Sequence, residues 1–291
     1  MSDNQDQLNS AMDETPFFFP VADQELFGIL HRPTTAPNGS GFVFCHPFAE
    51  EKLWAHRVYV SLARDLAARG HTVLRFDHMG HGDSDGEFQH ASVATHLRDI
   101  EAAVGRLRVE CPGLEGVGLL GLRLGGTFAA LSAERVPGIN RLVLWDPVVD
   151  GGRYMQEVLR SNLTSQLAAY GKVLQDRKAL VESLNDGKAI NVDGYELGRD
   201  FYEQASAINL LSGSPTFKGD VLILQVGKPG QPARKDLSAL QEHYPGATLK
   251  LCVEEPFWRE IKPFYARAEQ LSAATFGWLE ETTRQHGEAH G

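Results

Sequence analysis

One short stretch of the sequence combines the spacing of a reactive turn with a residue that cannot react. Gly121 and Gly125 stand four positions apart, after the apolar run 117–120 and before a run of helix-forming residues. A strand, a tight turn and a helix with the pattern Gly-x-Ser-x-Gly typically hold a nucleophilic serine. Here Arg123 occupies the middle position. A guanidinium is cationic at any physiological pH and cannot attack a carbonyl, so the spacing and the chemistry disagree.

The two other groups that such a nucleophile needs are a histidine that takes its proton and a carboxylate that orients the histidine. The last predicted strand, 248–253, is followed by Glu254 and by no histidine before His286. His286 and His290 lie in a polar tail, and we do not expect them to reach the turn. Asp236 follows another predicted strand and is a poor match for the acid. Ordinary serine hydrolysis is therefore not expected.

Two arrangements of Arg123 remain open. The turn places it beside backbone N–H groups at a helix N-terminus, which favours an anion. A guanidinium can bind a carboxylate or phosphate through two parallel hydrogen bonds, so the first interpretation is an anion-binding pocket. In the second, Arg123 pairs with an acidic residue of the same sheet edge: Glu254, Glu255 or Asp146. Burial without any partner would be costly, so we expect one of the two.

Further candidates surround this turn. His46 follows the buried strand 41–45 and could act as a base or orient a substrate, or it could simply shape its loop. Asp146 follows the strand 141–145 and could replace the usual acid. Cys45 precedes His46 and could be a nucleophile, although a thiol at the end of a buried strand is more typical of an inert core residue. The predicted catalytic residues are His46, Arg123 and Asp146, and the predicted ligand contacts are Phe48, Arg123, Leu124, Glu254 and Trp258.

Neither metal nor cofactor chemistry is predicted. His78 and His81 belong to the Gly/Asp-rich loop 77–86, which we interpret as a surface connection that the histidines shape. The three cysteines are far apart and fit no zinc or redox spacing. We interpret them as reduced thiols of a cytoplasmic protein.

Apolar strands alternate with amphipathic helices along most of the chain, which indicates βαβ units around a parallel sheet covered on both faces. Residues 18–33 are predicted to form an N-terminal hairpin. The further predicted strands are 41–45, 71–76, 117–120, 141–145, 219–226 and 248–253. The predicted helices are 56–69, 92–109, 127–134, 233–241 and 263–281.

The pattern changes between residues 151 and 214, which are mainly helical and polar, with helices predicted at 154–170, 173–185 and 199–207. Because this region follows a strand of the sheet, we interpret it as an inserted helical cap. The predicted organisation is a mobile tail over 1–15, a core of 16–150 and 215–285, and a cap over 151–214.

The composition is that of an ordinary globular protein: 291 residues, 42% apolar and 23% charged. With 28 basic and 38 acidic residues, the net charge is 28 − 38 = −10, which argues against a nucleic-acid or anionic-membrane surface. No apolar run is long enough for a membrane span.

Three motifs resemble the α/β-hydrolase superfamily, and the resemblance covers nearly all of the chain. The run Cys-His-Pro-Phe at 45–48 stands at the oxyanion loop. The run Arg-Phe-Asp-His-Met-Gly-His-Gly-Asp-Ser at 75–84 is similar to a loop of the lipase and serine-aminopeptidase (S33) branch. The third is the turn at 121–125. The resemblance implies an α/β-hydrolase fold, with a mostly parallel central sheet flanked by helices and a helical cap insertion.

Four shorter runs resemble a narrower group, exosortase A system-associated hydrolase 2, whose members accompany exopolysaccharide and protein-sorting genes in bacteria. They are the runs at 46–52, 121–125, 145–149 and 193–196.

The leading functional hypothesis is a protein without the standard triad that binds an anionic small molecule or an acyl or sugar conjugate, or serves as a partner protein, in an exopolysaccharide-related pathway. The alternative is an active hydrolase or acyl transferase that acts on esters or thioesters with non-standard residues. A third hypothesis is an interaction module with a closed pocket. A homodimer is compatible with each.

Overall fold

A computed structural model of the protein describes residues 13–260 and 265–289. The strands are β1 (Glu14–Val21), β2 (Gln24–His31), β3 (Ser40–Cys45), β4 (Thr72–Phe76), β5 (Gly116–Leu122), β6 (Ile139–Trp145), β7 (Ile190–Val192), β8 (Tyr195–Leu197), β9 (Asp220–Gly227) and β10 (Thr248–Val253). The α-helices are α1 (Glu50–Ala67), α2 (Val93–Glu110), α3 (Leu124–Ala133), α4 (Gly151–Tyr170), α5 (Arg177–Asn185), α6 (Arg199–Ser206), α7 (Lys235–His243) and α8 (Glu269–Ala289).

Eight of these strands form one sheet in the order β1-β2-β4-β3-β5-β6-β9-β10. The β1–β2 and β2–β4 pairs are antiparallel and the remaining pairs are parallel. Helices cover both faces, so the predicted fold class, a mostly parallel central sheet flanked by helices, is confirmed. A parallel sheet brings the carboxyl ends of its strands to one edge, where loops can converge on a site.

The strands separate two apolar cores. Along β3, Val43 and Cys45 face one core while Phe42 and Phe44 face the other, as the two-residue period of a strand requires. Helices α1 and α8 fill the second core, and α2, α3 and α7 contribute to the first. This burial on both faces explains why the strands read as continuous apolar runs.

Several predicted boundaries differ from the structure. The closing helix, predicted over 263–281, spans Glu269–Ala289, and residues 263–264 lie outside the described ranges. Strand β1 begins at Glu14, inside the segment 1–15 predicted as a tail; residues 1–12 of that tail lie outside the described ranges. Helix α1 begins at Glu50, six residues before the predicted start, because two acidic residues in its first turn favour a helix N-terminus. Residues 190–197 form the β7–β8 hairpin, which the helical interpretation of this region missed.

The two residues of the turn explain why a hairpin forms here. Asp193 and Gly194 connect β7 to β8 with φ angles of 50° and 95°. Two-residue hairpin loops require positive φ angles, and Asp-Gly is among the pairs that adopt them.

Among the described helices, none is long and apolar enough to cross a membrane.

Candidate functional site

The turn between β5 and α3 has the backbone geometry of a nucleophile-bearing elbow. Arg123 lies at φ 55° and ψ −124°, outside the regions that side chains prefer. Two glycines permit the turn: a Cβ on Gly121 would lie 2.3 Å from the carbonyl oxygen of Gly125, and one on Gly125 would lie 2.3 Å from the carbonyl oxygen of Cys45. The glycine spacing is therefore a steric requirement of the turn, and it remains in place although no serine stands between the glycines.

Strained backbone is concentrated at this edge of the sheet. Five non-glycine residues of the described chain have positive φ, and three of them, Ala49, Arg123 and Asp146, lie where α1, α3 and the end of β6 meet. Such conformations cost of the order of 1–3 kcal/mol each and cluster at functional sites. The strain marks the elbow edge as a candidate site independently of its side chains.

Arg123 is held by two carboxylates. Its Nε lies 3.3 Å from Oε1 of Glu51, and its Nη1 lies 3.3 Å from Oδ2 of Asp146. The three side chains are 11%, 18% and 6% exposed, respectively. Tyr154 donates a hydrogen bond of 3.0 Å to the other oxygen of Glu51. The rings of Tyr154 and Trp258 lie within cation–π distance of the guanidinium, at 5.5 and 5.7 Å.

Asp146 extends the charge network to a second arginine. Nη1 of Arg234 lies 3.2 Å from each oxygen of Asp146, and the backbone N–H of Val226 donates to the same carboxylate at 3.3 Å. Arg234 also binds Asp236 at 3.1 Å. Asp236, the poor sequence match for a catalytic acid, thus neutralises an arginine.

The pairing fixes Arg123 in its charged form. Burial alone would lower the pKa of its guanidinium, but the charges of Glu51 and Asp146 outweigh burial and raise it. Burial also raises the pKa of Tyr154 well above its ordinary value, and the nearby Glu51 charge acts in the same direction. At neutral pH the site therefore holds a permanent cation and a neutral phenol.

Two cavities lie beside the elbow. The first, of about 460 Å³, is lined by aromatic rings and is here called the aromatic cavity. Its lining carries four carboxylates against two guanidiniums. The rings are those of Phe48, Trp54, Tyr154 and Trp258, the carboxylates those of Glu50, Glu51, Glu157 and Asp193, and the guanidiniums those of Arg123 and Arg259.

The second cavity, of about 540 Å³, has the opposite balance and is here called the basic cavity. Five cationic side chains line it, against three carboxylates. The cations are Arg123, Arg153, Arg234, Lys235 and Arg259, and the carboxylates are Asp150, Glu157 and Asp236. Because both linings include Arg123, Tyr154, Glu157 and Arg259, the two cavities adjoin at the elbow.

The predicted ligand contacts divide into two groups. Phe48, Arg123 and Trp258 line the aromatic cavity. Leu124 is fully buried in the first apolar core and lines neither cavity beside the elbow. Glu254 also lies outside both linings, where it accepts hydrogen bonds from the Tyr265 hydroxyl and from the Gln270 backbone N–H.

His46 is buried at the end of β3. Its ring stacks on Tyr59 at a centroid distance of 4.7 Å, and its Nδ1 has no hydrogen-bond partner in the described chain. Burial, followed by the nearby charge of Lys52, lowers the pKa of His46 well below its ordinary value. Burial likewise raises the pKa of the Cys45 thiol, which keeps it protonated. The ring of His46 is neutral, and no described contact joins it to Asp146.

The C-terminal histidine is at the opposite end of the sheet. His286 lies 2.8 Å from Asp220, the first residue of β9, whereas the elbow lies at the carboxyl ends of the strands. His290 lies outside the described residues.

The histidines of the loop after β4 are buried, although the loop was predicted at the surface. His78 and His81 pack with His96 of α2, with His78 stacked on His96 at 4.2 Å. Asp99 accepts a hydrogen bond of 3.0 Å from the Met79 backbone N–H and lies 3.3 Å from His78 Nδ1. Within residues 13–260 and 265–289, no group of three or more His, Cys, Asp or Glu side chains is placed to hold a metal ion.

Sequence reasoning missed three residues of the charge network. From the sequence, Glu51 could line the mouth of a pocket or be solvated, and Tyr154 could equally pack or contact a ligand. Neither residue is predicted to bind Arg123 or its partner, and Arg234 is not singled out. The sequence signal that could have found them is their place in the chain. All three residues follow strands β3, β6 and β9, whose loops converge on one edge of the parallel sheet.

A mostly parallel sheet with a strand–elbow–helix unit at its carboxyl edge defines the class of α/β-hydrolase proteins. Within that class, the chain belongs to the serine aminopeptidase S33 family, whose model matches residues 41–204. The matched region includes the loop after β4 and the elbow.

Sequence relatives carry lipase names. Human monoglyceride lipase is 34% identical over 138 residues, which are 47% of this chain and 44% of the lipase. A monoglyceride lipase homolog of monkeypox virus is 32% identical over 94 residues, which are 32% of this chain and 34% of the homolog. The chain thus matches less than half of the length of these curated relatives.

Solved structures resemble the whole fold. Est1E from Butyrivibrio proteoclasticus has a TM-score of 0.63 and 17% sequence identity, with 91% of this chain and 98% of Est1E covered. The Pyrococcus furiosus esterase Pf2001 has a TM-score of 0.62 and 15% identity, with 94% and 92% covered. At such identities the likeness establishes the fold alone.

Proposed function

We propose that this protein binds, and does not hydrolyse, an elongated conjugate that has a neutral sugar or acyl body and an anionic group. The observation that carries the proposal is Arg123: the place of a nucleophile holds a guanidinium that two carboxylates neutralise, between two cavities of opposite charge. Such a centre has no group that can attack a carbonyl. Its paired charges form a rigid polar surface that a ligand can contact.

The aromatic cavity suits the neutral part of the ligand. Aromatic faces pack against the C–H surface of a sugar or against an acyl chain, and carboxylates accept hydrogen bonds from hydroxyl groups. The indole N–H groups of Trp54 and Trp258 are buried with no partner among the described residues. Unpaired buried donors are costly, so a ligand with acceptor oxygens would stabilise this region after a small ring movement. At about 460 Å³, the volume is that of a small-molecule site.

The basic cavity suits the anionic part. Arg123 is already paired, so the cations that face a ligand there are Arg153, Lys235 and Arg259. Arg153 is 78% exposed, and its ion pair within the described part of the chain is with the solvent-accessible Glu157 at 3.4 Å. Such a surface pair is weak and exchanges easily for a phosphate or carboxylate. The anionic group of the proposed ligand therefore binds these cations and not Arg123.

The biological setting is proposed from the resemblance to exosortase A system-associated hydrolase 2. A sugar conjugate with an anionic group is the kind of molecule that exopolysaccharide chemistry uses, and we place the protein in such a pathway in the cytoplasm. The three cysteines are free thiols, in keeping with that compartment. A pathway protein or a second copy of the chain would be a further partner.

Binding is tested with the tryptophans of the protein itself. Glucose 1-phosphate, octyl glucoside, glucose and inorganic phosphate are titrated while tryptophan fluorescence is recorded. We expect saturable quenching by glucose 1-phosphate at lower concentration than by glucose or phosphate alone. The double variant Trp54→Phe/Trp258→Phe, which removes both tryptophans of the cavity, should lose the signal, and Trp278→Phe, in the second core away from the cavity, should retain it. Absence of saturable binding by every probe would refute the proposal.

Hydrolysis is tested separately, because relatives named lipases and esterases favour the alternative of an active hydrolase or acyl transferase. Short p-nitrophenyl esters and a thioester are incubated with the wild type, Arg123→Ser and His46→Ala. We expect no turnover above background from any of the three. Wild-type turnover that His46→Ala abolishes would replace the binding proposal by the alternative.

A further inference from the structure

A further cavity lies at the edge of the sheet opposite the elbow. It has a volume of about 710 Å³ and is lined by the first residues of several parallel strands and by the last turns of α8. Arg141 lies near the start of β6, whereas Asp146 follows the end of that strand. The two residues are five positions apart along an extended strand, which is roughly 17 Å, so this far cavity is not part of the elbow site.

Two hydroxyl groups from different elements hold the Arg141 side chain. Its Nη1 donates to Oγ of Ser40 at the start of β3, and its Nη2 donates to Oγ1 of Thr283 on α8, both at 3.3 Å. Its Nε is buried and has no partner in the described chain. The guanidinium is thus fixed across the cavity floor by neutral groups that leave its charge uncompensated.

Arg141 differs in this respect from Arg123. Of the described carboxylates, none lies within 4.0 Å of Arg141, whereas Arg123 has two partners. Asp220, which lines the same cavity, lies 2.8 Å from His286. Burial lowers the pKa of Arg141, and the charge of Asp220 opposes this only in part. A half-buried guanidinium without a carboxylate partner can still form an ion pair with an anionic ligand.

The remaining lining supplies mainly hydrogen-bond donors. Lys218 contributes an ammonium group, and Asn140 an amide. Burial, followed by the charge of Arg141, lowers the pKa of His71 to about 4, so its ring is neutral at pH 7. Because Asn38 donates to Nδ1 of His71 at 3.2 Å, the ring proton is on Nε2. One carboxylate besides Asp220, that of Glu115, lines the cavity.

We propose that the far cavity is a second binding site that takes the phosphate or carboxylate group of a small molecule, with Arg141 as its central ligand. The guanidinium would bind two oxygens in parallel, and Lys218 would supply a second positive charge. The hydroxyls of Ser40 and Thr283, which already hold the guanidinium, orient it toward the anion. A volume of about 710 Å³ admits a metabolite-sized molecule behind the anionic group.

The test uses a signal from the arginine itself. A ¹⁵N spectrum of the arginine Nε–H groups is recorded while inorganic phosphate is added to the full-length protein, and Arg141→Lys identifies the Arg141 signal by its disappearance. We expect a saturable shift of that signal with phosphate and none with sodium chloride at equal ionic strength. An Arg141 signal that stays unmoved, or that follows ionic strength alone, would overturn the proposal.

A second measurement keeps the proposal testable if that signal is broadened. Arg141→Gln is compared with Arg199→Gln, which removes an exposed arginine whose pair with Glu203 lies on α6. We expect phosphate to raise the Tm of the wild type and of Arg199→Gln, and its affinity to fall at least about tenfold in Arg141→Gln. Equal phosphate affinity in all three proteins contradicts the proposal. Both variants keep the basic cavity, so phosphate bound there contributes equally to each, and their difference, like the Arg141 signal, reports the far cavity alone; this site and the proposed function can therefore fail separately.

Discussion

Two regions of the molecule bury ionisable groups in opposite ways. At the elbow, Arg123 keeps its charge and is paired with Glu51 and Asp146. In the loop after β4 and on α2, three buried histidines pack against one another as neutral rings, one pair stacked and the other two pairs edge-on. The difference shows that a buried group can be stabilised by a counter-charge or by loss of its own charge, and the two solutions respond to different perturbations.

The histidine cluster gives the largest expected effect, which is a response to acid. Burial lowers the pKa of His81 to about 4, and burial also lowers the pKa values of His78 and His96 well below the ordinary value. Between pH 6.5 and 4 the unfolded chain therefore binds protons that the folded chain does not, so stability falls as the pH falls. At pH 5, His81 alone accounts for a loss of about 2 kcal/mol, and the other two add to it. Urea denaturation from pH 7.5 to 5 measures it.

Two variants give the control for this pH dependence. His96→Phe replaces a ring that packs against Phe128 and Phe201 and removes one proton-binding group, so its stability should fall less steeply below pH 6.5. The exposed His90 serves as the matched site: His90→Phe should leave the slope unchanged. Equal slopes in both variants and the wild type would show that the cluster does not govern the acid response.

The next largest effect is a loss of stability at the elbow when the arginine of the ion cluster is removed. Arg123→Leu leaves the buried carboxylates of Glu51 and Asp146 without the cation between them. Loss of one member of a buried pair costs about 3–5 kcal/mol, and we expect a loss in that range at pH 7 by urea denaturation.

A double variant separates charge from packing at the elbow. Arg123→Leu combined with Glu51→Gln removes one of the stranded charges and should recover part of the lost stability. If the double variant is as unstable as the sum of the two single variants, the cost of Arg123→Leu comes from packing, and the contrast between the two regions is lost.

The smallest effect is expected from a hydrogen bond at the same cluster. Tyr154→Phe removes only the hydroxyl that donates to Glu51 at 3.0 Å and leaves the ring beside Arg123. A hydrogen bond to a charged group contributes about 1.5–3 kcal/mol when buried, and we expect a loss near the lower limit because Arg123 still binds Glu51. A loss equal to that of Arg123→Leu would mean that the hydroxyl, and not the ion pair, holds the carboxylate.

Much of the fold could be predicted because its signals are local. The glycines at 121 and 125 are required by close backbone contacts within the turn and with the neighbouring strand, so their spacing alone predicts the elbow. Strand β10 has the predicted bounds, since an apolar run between turns needs no tertiary information. Asp146 was foreseen beside Arg123 because both residues follow strands of one parallel sheet.

What could not be predicted depends on contacts between distant parts of the chain. Arg234 binds Asp146 across 88 positions, and no local pattern indicates that pair. The loop with His78 and His81 has the composition of a surface connection, but a third histidine, on α2, covers it. The prediction of Glu254 as a ligand contact failed for the same reason. Its carboxylate accepts hydrogen bonds from Tyr265 and Gln270, and no local sequence pattern indicates these contacts.

The ion cluster at the elbow also determines how this scaffold could be turned into a serine hydrolase. Arg123→Ser would supply a hydroxyl, but it would leave Glu51 without its cation and Asp146 with Arg234 as its remaining arginine, and the sequence offers no histidine between Val253 and His286. A design route must therefore change the elbow, its carboxylates and the loop after β10 in one round. Arg123→Ser alone breaks the ion cluster and still lacks the histidine that a serine nucleophile needs, so the first step toward esterase activity costs stability before it can be useful.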